Sequence, residues 1–312
     1  MAKKKSRSTQ VHFYFGPHSD RSIYLPKKYY KEKIKTHIAE FAPEPVGIVK
    51  AWIKSLLSGR DLSLHERQKA RFLRKVLREG GKIVTPEALT TRKDIRDFEI
   101  IVKDTTYLIR RVHELSNPKE LIVSARELFE LQAEEIFGFR HPRIIKAVKA
   151  AVRKREMPVL GVYGTHHTIL SKELREAGIE SSREVSSDIF RWQGVVRRKL
   201  YLGIPVSNTE IKRAAVSRRA NLYALVHKKS GLHLTYKQIS ILDAIDYELL
   251  KRLNSKQLDK IIRTRDHREI FQLNGLPSHP TIRQLRDWLE KHSLFWRRLQ
   301  LGEQKRKRKA KS

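Results

Sequence analysis

Residues 159 to 169 read VLGVYGTHHTI, an almost continuously apolar run that ends at Gly164 and leads into two adjacent histidines. A strand of a parallel sheet shows this pattern, because helices cover both of its faces. A helix is predicted directly after it, closed by Gly178. The stretch therefore predicts a buried parallel strand that has His166 and His167 just beyond its carboxyl end.

Strand and helix signals alternate on both sides of this stretch. QVHFYFG (10–16) and KIVTP (82–86) are typical of strands, being rich in β-branched and aromatic residues or bounded by turn residues. Between and after them come helix signals, among them a capping box at 63–66 and a cap with a first-turn proline at 117–120. The alternation predicts an α/β fold with a mainly parallel sheet and long helical insertions.

The last third of the chain differs from the rest in pattern and charge. It is predicted to be mostly helical, with a capping box at 207–210 and short amphipathic helices beyond it. The net charge is +14 up to residue 190 and +19 after it. We predict a basic tail over 1–9, an α/β domain over 10–185, a basic helical module over 191–301 and a second basic tail over 302–312.

Composition limits the classes of protein and of site. The 312 residues contain 39% hydrophobic residues, enough for a substantial core, and no cysteine, which excludes disulfides and thiolate chemistry. The sequence has no apolar run long enough for a membrane span, and neither P-loop, GxSxG nor dinucleotide signatures. We expect a soluble protein of the cytoplasm, or of the nucleus in a eukaryote, and leave its oligomeric state open.

Positive charge is the strongest compositional signal. Lys and Arg number 67 against 34 Asp and Glu, which gives a net charge of +33, and +23 remains without the ten basic residues of the two tails. A high density of charge is also typical of thermophilic proteins, but that does not account for its sign. A field of this size attracts polyanions, so we expect a partner such as RNA, DNA or a ribonucleoprotein.

Chemically capable residues follow three of the predicted strands. His18 follows VHFYFG, Glu87 follows KIVTP, and His166 with His167 follows VLGVYG. Ligands of parallel α/β sheets bind at the carboxyl ends of the strands, where two imidazoles and a carboxylate could activate water. These four are the candidate catalytic residues, and His18 and His166 the candidate ligands of a divalent metal, with no other cofactor indicated.

Plainer roles for these residues stay open. Adjacent side chains of a strand point to opposite faces, so only one of His166 and His167 can serve a site unless the turn has already begun. His18 is otherwise an exposed loop histidine, and Glu87 a first-turn acid of the following helix.

The order of these features resembles the TraB, ChaN and erythromycin-esterase-like superfamily over roughly residues 10 to 185. The matching stretches are FGPHS (15–19), VTPE (84–87), SARELFELQAEEI (124–136) and GVYGTHHTILSKELREAGI (161–179). The resemblance implies an α/β sheet with long helical insertions. It also implies hydrolytic or metal-binding roles for His18, Glu87 and His166 or His167, with Arg126 and Glu127 near the pocket; a solvated salt-bridged helix face is the alternative for that pair.

Basic pairs beside apolar or aromatic residues recur in the helical module, as phosphate contacts require. A helix spanning 208–227 is expected to carry Lys212 and Arg219 on its outer side. The predicted nucleic-acid contacts are Arg197, Arg198, Lys199, Lys212, Arg213, Arg218, Arg219, Lys228, Lys229, Arg297, Arg298, Lys305, Arg306, Lys307, Arg308 and Lys309.

Three hypotheses follow for the function. The leading one is a nucleic-acid-associated protein with a basic body and basic tails. The second is a hydrolase that depends on His and Glu, with or without a metal. The third is an interaction scaffold that uses the acidic helix from Glu114 to Glu135.

Overall fold

The computed structural model describes residues 10–16, 18–19, 22–23, 27–41, 43–59, 62, 64–164, 167–185, 192–220, 236–294 and 297. The chain divides into two compact units, one formed by 1–105 with 131–188 and the other by 106–130 with 189–312. The segment 106–130, which lies inside the domain predicted for 10–185, thus groups with the carboxyl-terminal part of the chain.

A five-stranded, all-parallel sheet forms the centre of the first unit. Its strands are β1 (Val11–Gly16), β4 (Thr36–Ala39), β5 (Lys82–Val84), β6 (Val159–Gly164) and β7 (Ser182–Val185), in the order β5-β4-β6-β1-β7. β2 (His18–Ser19) and β3 (Ser22–Ile23) form a separate antiparallel pair. The predicted parallel α/β fold is confirmed. β4 and β7 are strands that the sequence did not reveal.

Helices cover the sheet, which explains why its central strands are apolar throughout. The first unit contains a short 3-10 helix (Lys27–Tyr30), α1 (Val46–Ser58), α2 (Leu64–Arg78), most of α3 (Arg92–Glu114), the end of α4 (Pro118–Ala133), a π-helical segment (Glu134–Arg140), α5 (His141–Arg153) and α6 (Leu170–Glu176). One face of the sheet packs against α5 and α6, and the other against α1 and α2. All six residues of β6 are buried, as expected for a strand between two helical layers.

Gly161 at the centre of β6 is required by packing. A Cβ atom at this position would lie 2.2 Å from a ring carbon of Phe13, on the neighbouring strand β1. That distance is far below any carbon–carbon contact, so the ring occupies the space that a side chain would need. The glycine lets aromatic side chains of β1 fill the layer beneath α5.

The described part of the second unit is helical. After the parts of α3 and α4 that belong to it come α7 (Trp192–Tyr201), α8 (Asn208–Ala220), α9 (Tyr236–Arg252), α10 (Ser255–Thr264), α11 (Glu269–Gln272) and α12 (Ile282–His292). The predicted capping box at 207–210 is present, since the Glu210 amide donates to Ser207 Oγ (3.2 Å) and the Ser207 amide to Glu210 (3.0 Å). A helical carboxyl-terminal module is thereby confirmed.

Across both units, the helices in the described part of the chain are either too short or too polar to cross a bilayer.

Candidate functional site

The carboxyl ends of three neighbouring strands bring ionisable residues together in the first unit. β5, β4 and β6 lie side by side and run in the same direction. Glu87 follows β5, Glu40 follows β4 and His167 follows β6, so the parallel arrangement places all three beyond the same edge. This is the edge at which the sequence predicted a site.

Arg140 joins the two carboxylates. Its Nε donates to Glu87 Oε1, and its Nη2 donates to Glu40 Oε1 at 2.9 Å. The other oxygen of Glu87 accepts from the Phe41 amide at 3.3 Å, and that of Glu40 from the Gly164 amide at 2.7 Å. Each carboxylate therefore has a charged and a backbone donor, as buried carboxylates need.

A histidine relay continues from Glu40. His167 Nε2 lies 3.1 Å from Glu40 Oε1, and His167 Nδ1 lies 2.9 Å from Nε2 of His141. The opposite nitrogen of His141, Nδ1, bonds a carboxylate oxygen of Glu173, on α6. A continuous chain of six ionisable side chains, which we call the sheet-edge network, results: Glu87, Arg140, Glu40, His167, His141 and Glu173.

The relay must hold more than the protons of two neutral imidazoles. Its three hydrogen bonds, from Glu40 to His167, from His167 to His141 and from His141 to Glu173, each need one proton, but two neutral rings carry only two N–H groups. Burial lowers the pKa of His167 to about 3, against weaker opposition from Glu40, so this ring is neutral.

Burial also shifts the pKa of the groups at the other end of the network. Burial raises the pKa of Glu87 to about 7, and Glu40 adds to this while Arg140 opposes it. Burial disfavours the charged form of Arg140, but attraction to Glu87 and Glu40 outweighs it and holds the Arg140 pKa above its ordinary value. A carboxyl that titrates near neutrality is suited to general acid–base chemistry.

Two further titratable groups adjoin the network. Lys69 lies on α2, and its Nζ is 4.4 Å from the ring centre of Phe41 and 4.9 Å from that of Trp52. The same Nζ is 3.3 Å from the backbone oxygen of Glu40. Burial lowers the pKa of Lys69 to about 8. The ring of Tyr163 packs edge-on against His167, and burial raises the pKa of this phenol well above 10.

The structure brings only some of the predicted site residues together. Glu87 and His167 belong to the sheet-edge network and are fully buried. The backbone of His18 forms part of β2, but its side chain, like all of His166, lies outside the described residues. Where side chains are described, no three His, Asp or Glu residues converge in an arrangement that could hold a metal ion.

Arg126 and Glu127 lie on the part of α4 that belongs to the second unit. Arg126 Nη2 donates to the Val206 backbone oxygen at 3.1 Å. Both side chains line an open groove of about 570 Å³ together with Lys119, Ile122, Val123, Glu130 and Asn208. Arg126 thus helps to hold α4 against the segment before α8.

Four members of the network were missed from the sequence: Glu40, Arg140, His141 and Glu173. Glu40 could have been found in THIAEF (36–41), because it directly follows a short, mainly apolar stretch, as polar residues do at the ends of the recognised strands. Arg140 and His141 stand directly before Pro142, where an inward-facing helix was predicted. Glu173 lies in the first turn of α6 and resembles an ordinary helix acid.

Two basic residues expected on the outer side of a helix are buried instead. Lys212 is 7% exposed and contacts Ser255 (2.7 Å) and Asp259 (2.6 Å), while Arg219 is 8% exposed and donates to the backbone oxygens of Val112 and Leu115. Their predicted placement is wrong, because both cations supply hydrogen bonds that hold helices of the second unit together.

The other predicted basic contacts are partly occupied or not described. Lys199 pairs with Glu210, Arg213 donates to the backbone oxygens of Lys251 and Leu253, and Arg197 and Arg218 contact Gln193. Arg198 is half-buried, and Arg297 is exposed. Lys228, Lys229, Arg298, Lys305, Arg306, Lys307, Arg308 and Lys309 lie outside the described residues. A role of these residues in nucleic-acid binding stays a prediction.

No family model, characterised protein or solved structure matches this chain. The resemblance to the TraB, ChaN and erythromycin-esterase-like superfamily therefore stays a prediction, and function is argued below from the chain itself.

Proposed function

We propose that this protein binds nucleic acid, as free RNA or DNA or within a ribonucleoprotein, through cationic surfaces that include the outer face of α5. The single observation that carries the proposal is a stripe of exposed cations on and directly after this helix, for which the described residues show no ion pair, in a chain whose net charge is +33. The expected location, cytoplasm or nucleus, is part of the same proposal.

The spacing of the basic residues places them on one face of α5. Lys146, Lys149 and Arg153 follow at i, i+3 and i+7, and Lys154 with Arg155 continues the run after the helix ends. All five are exposed. Ile144, Val148 and Ala151 occupy the opposite face and are buried against the sheet. We call the five basic residues the α5 stripe.

The described residues around the α5 stripe do not neutralise its positive charge. Within the described ranges none of its members forms an ion pair, although Arg143 and Glu156 on either side of it pair with Asp94 and Lys82. Lys146 and Arg153 are separated by about 10 Å along the helix axis, over which one strand of a duplex rises by about three nucleotides. Neutralisation of these phosphates would release condensed counterions, which is the main driving force of such binding.

Binding to a fluorescently labelled RNA or DNA of about 20 nucleotides is expected to weaken steeply as salt rises. In the variant K146Q/K149Q/R153Q, loss of three phosphate contacts should reduce the slope of log K against log salt by about two to three and weaken binding at least tenfold at low salt. Fluorescence anisotropy at four or more salt concentrations measures both quantities.

A matched control removes the same charge from the opposite face of the sheet. Lys50, Lys54 and Arg71 are exposed residues of α1 and α2, so K50Q/K54Q/R71Q also lowers the net charge by three. If both triple variants weaken binding equally, the overall field and not the α5 stripe is responsible. Absence of binding by the unaltered protein at low salt contradicts the proposal.

The sheet-edge network favours a second candidate function, that of a hydrolase with His and Glu as acid and base. The specific observation is the His167–His141–Glu173 relay beside Glu40, which can pass a proton along three consecutive hydrogen bonds. A group able to give or take a proton in this way typically accelerates a reaction 10²- to 10⁴-fold, as an order of magnitude.

Activity on a panel of p-nitrophenyl esters and phosphoesters tests this candidate. Glu87→Gln and His167→Gln should each lower any activity about 100-fold or more, since each keeps hydrogen bonding but not proton transfer. Circular dichroism confirms that each variant is folded. Arg175→Gln, an exposed change on α6, should leave the rate unaltered. Activity retained by both network variants would exclude the network as the catalyst.

A further inference from the structure

A second polar cluster lies on the first unit's sheet, away from the sheet-edge network and without a residue in common with it. His12 of β1 and Ser182 of β7 are direct partners in the strand register, and Glu184 lies two residues farther along the same side of β7. Tyr29, from the short 3-10 helix, contacts His12 and Glu184. The pairing of β1 with β7 therefore fixes a serine beside a histidine.

The hydrogen bonds of this cluster have one self-consistent direction. Ser182 Oγ lies 2.5 Å from His12 Nδ1, and His12 Nε2 lies 2.5 Å from the Tyr29 hydroxyl. Tyr29 donates to Glu184 Oε2 at 2.6 Å, so its oxygen accepts the Nε2 proton of His12. His12 Nδ1 then carries the lone pair, and Ser182 is the donor to it.

Burial keeps His12 in the form that can accept a proton. Burial lowers its pKa below 6.5, Lys28 acts in the same direction, and Glu184 and Glu32 oppose them. Glu184 is itself paired with Lys28 and bonded to Tyr29, which lower its pKa against the effect of burial, so it stays ionised. Tyr29 stays protonated, because burial and Glu184 raise its pKa.

We propose that Ser182 is an activated nucleophile that attacks carboxylic esters, with His12 as its base and with Tyr29 and Glu184 as positioning residues. This is the arrangement of nucleophile, base and orienting group that activates serine hydroxyls in unrelated folds. Ser182 and Glu184 are partly exposed, so a substrate can reach the Ser182 hydroxyl from solvent.

The reaction is balanced by one proton that moves to His12 and back. Ser182 Oγ forms a bond to the ester carbonyl carbon as its proton passes to His12 Nδ1, and the Tyr29 oxygen stabilises the resulting imidazolium through Nε2. The bond from carbon to the leaving oxygen breaks, and His12 returns the proton to that alkoxide. Water then attacks the acyl-serine in the same manner and releases the acid and free Ser182.

A fluorophosphonate probe tests the nucleophile directly, because phosphonylation of a serine requires this activation and releases fluoride. The unaltered chain should be labelled, and mass spectrometry of its peptides should place the label on Ser182. Labelling of another residue, or none at a large excess of probe, overturns the proposal. This measurement needs no variant, so it does not depend on whether a variant folds.

Variants show whether Ser182 is labelled because His12 activates it or only because it is exposed. Ser182→Ala should abolish labelling, and His12→Gln should slow it at least 100-fold. Ser181→Ala is the matched control, since the hydroxyl of this neighbouring serine is buried and has no hydrogen-bond partner among the described residues; its labelling rate should be unaltered. Tyr29→Phe should slow labelling and change its pH profile, because Tyr29 links His12 to Glu184. An unaltered rate and profile in Tyr29→Phe would remove the positioning role.

Discussion

Replacement of Arg140 by methionine is expected to destabilise the first unit by about 3 to 5 kcal/mol, the usual cost of removing one partner of a buried ion pair. Arg140 is the shared donor to Glu40 and Glu87, and Glu87 is completely buried. Methionine fills a similar volume but leaves the two carboxylates near each other without the guanidinium that joins them. The loss of electrostatic compensation, and not a change in packing, should therefore account for the lower stability.

Native-state hydrogen exchange of peptides from β4 and β6 measures this loss for the first unit separately, which a single transition of a two-unit chain would not. The double variant Arg140→Met/Glu87→Gln should recover part of the stability, because it removes one uncompensated charge. Arg175→Met, on the surface of α6, should change the stability by less than about 0.5 kcal/mol. Equal stability of Arg140→Met and the unaltered protein would show that the network contributes nothing.

Acidification from pH 7 to pH 4 is expected to destabilise the first unit by about 3 kcal/mol, counting about 1.4 kcal/mol for each pKa unit. Burial lowers the pKa of His167 to about 3 and that of His37 to about 4, from 6.5. Below pH 6.5 the unfolded chain therefore binds more protons than the folded one. The free energy of unfolding thus decreases as the pH is lowered through this window. Glu87 acts in the opposite sense, since its raised pKa favours the folded state below pH 7.

Variants can measure how much His37 and Glu87 each contribute to the pH dependence of stability. His37→Gln keeps a donor for the Leu160 backbone oxygen, which His37 Nδ1 contacts at 3.1 Å, and should flatten the pH dependence between 6.5 and 4. Glu87→Gln should make the loss on acidification steeper, because it removes the compensating carboxyl. Hydrogen exchange of β6 at three pH values, corrected for the intrinsic exchange rate, provides the measurement. A steeper dependence in His37→Gln would contradict the assignment.

The sequence predicted the elements whose side-chain pattern is set locally. VHFYFG, KIV and VLGVYG are strands because β-branched and aromatic residues suit a covered sheet, and the box at 207–210 begins a helix because its hydrogen bonds are local. THIA has only four residues, and three of the four residues of SREV are polar and lie beside a serine-rich segment. Such short strands are defined by their partners, which are far away in the chain.

The candidate site was predictable in its location but not in its composition. Glu87 and His167 could be found because each follows a recognisable strand. Arg140 and His141 are helical residues that face inward, and no local pattern distinguishes them from the other charged residues of α4 and α5. For Lys212 and Arg219 the error has the same origin, since helical periodicity assigned the cations to solvent while tertiary hydrogen bonds hold them inside.

The order of strands in the sheet also has a consequence during synthesis on the ribosome. β1 is made long before its two partners, β6, which begins at Val159, and β7, which begins at Ser182. At about 5 to 20 residues per second, some 7 to 30 s pass before β6 exists. Throughout this delay both edges of VHFYF lack their partner strands, which is a hazard for aggregation. We expect the nascent chain to be most dependent on chaperones in this interval, before α6 and β7 emerge.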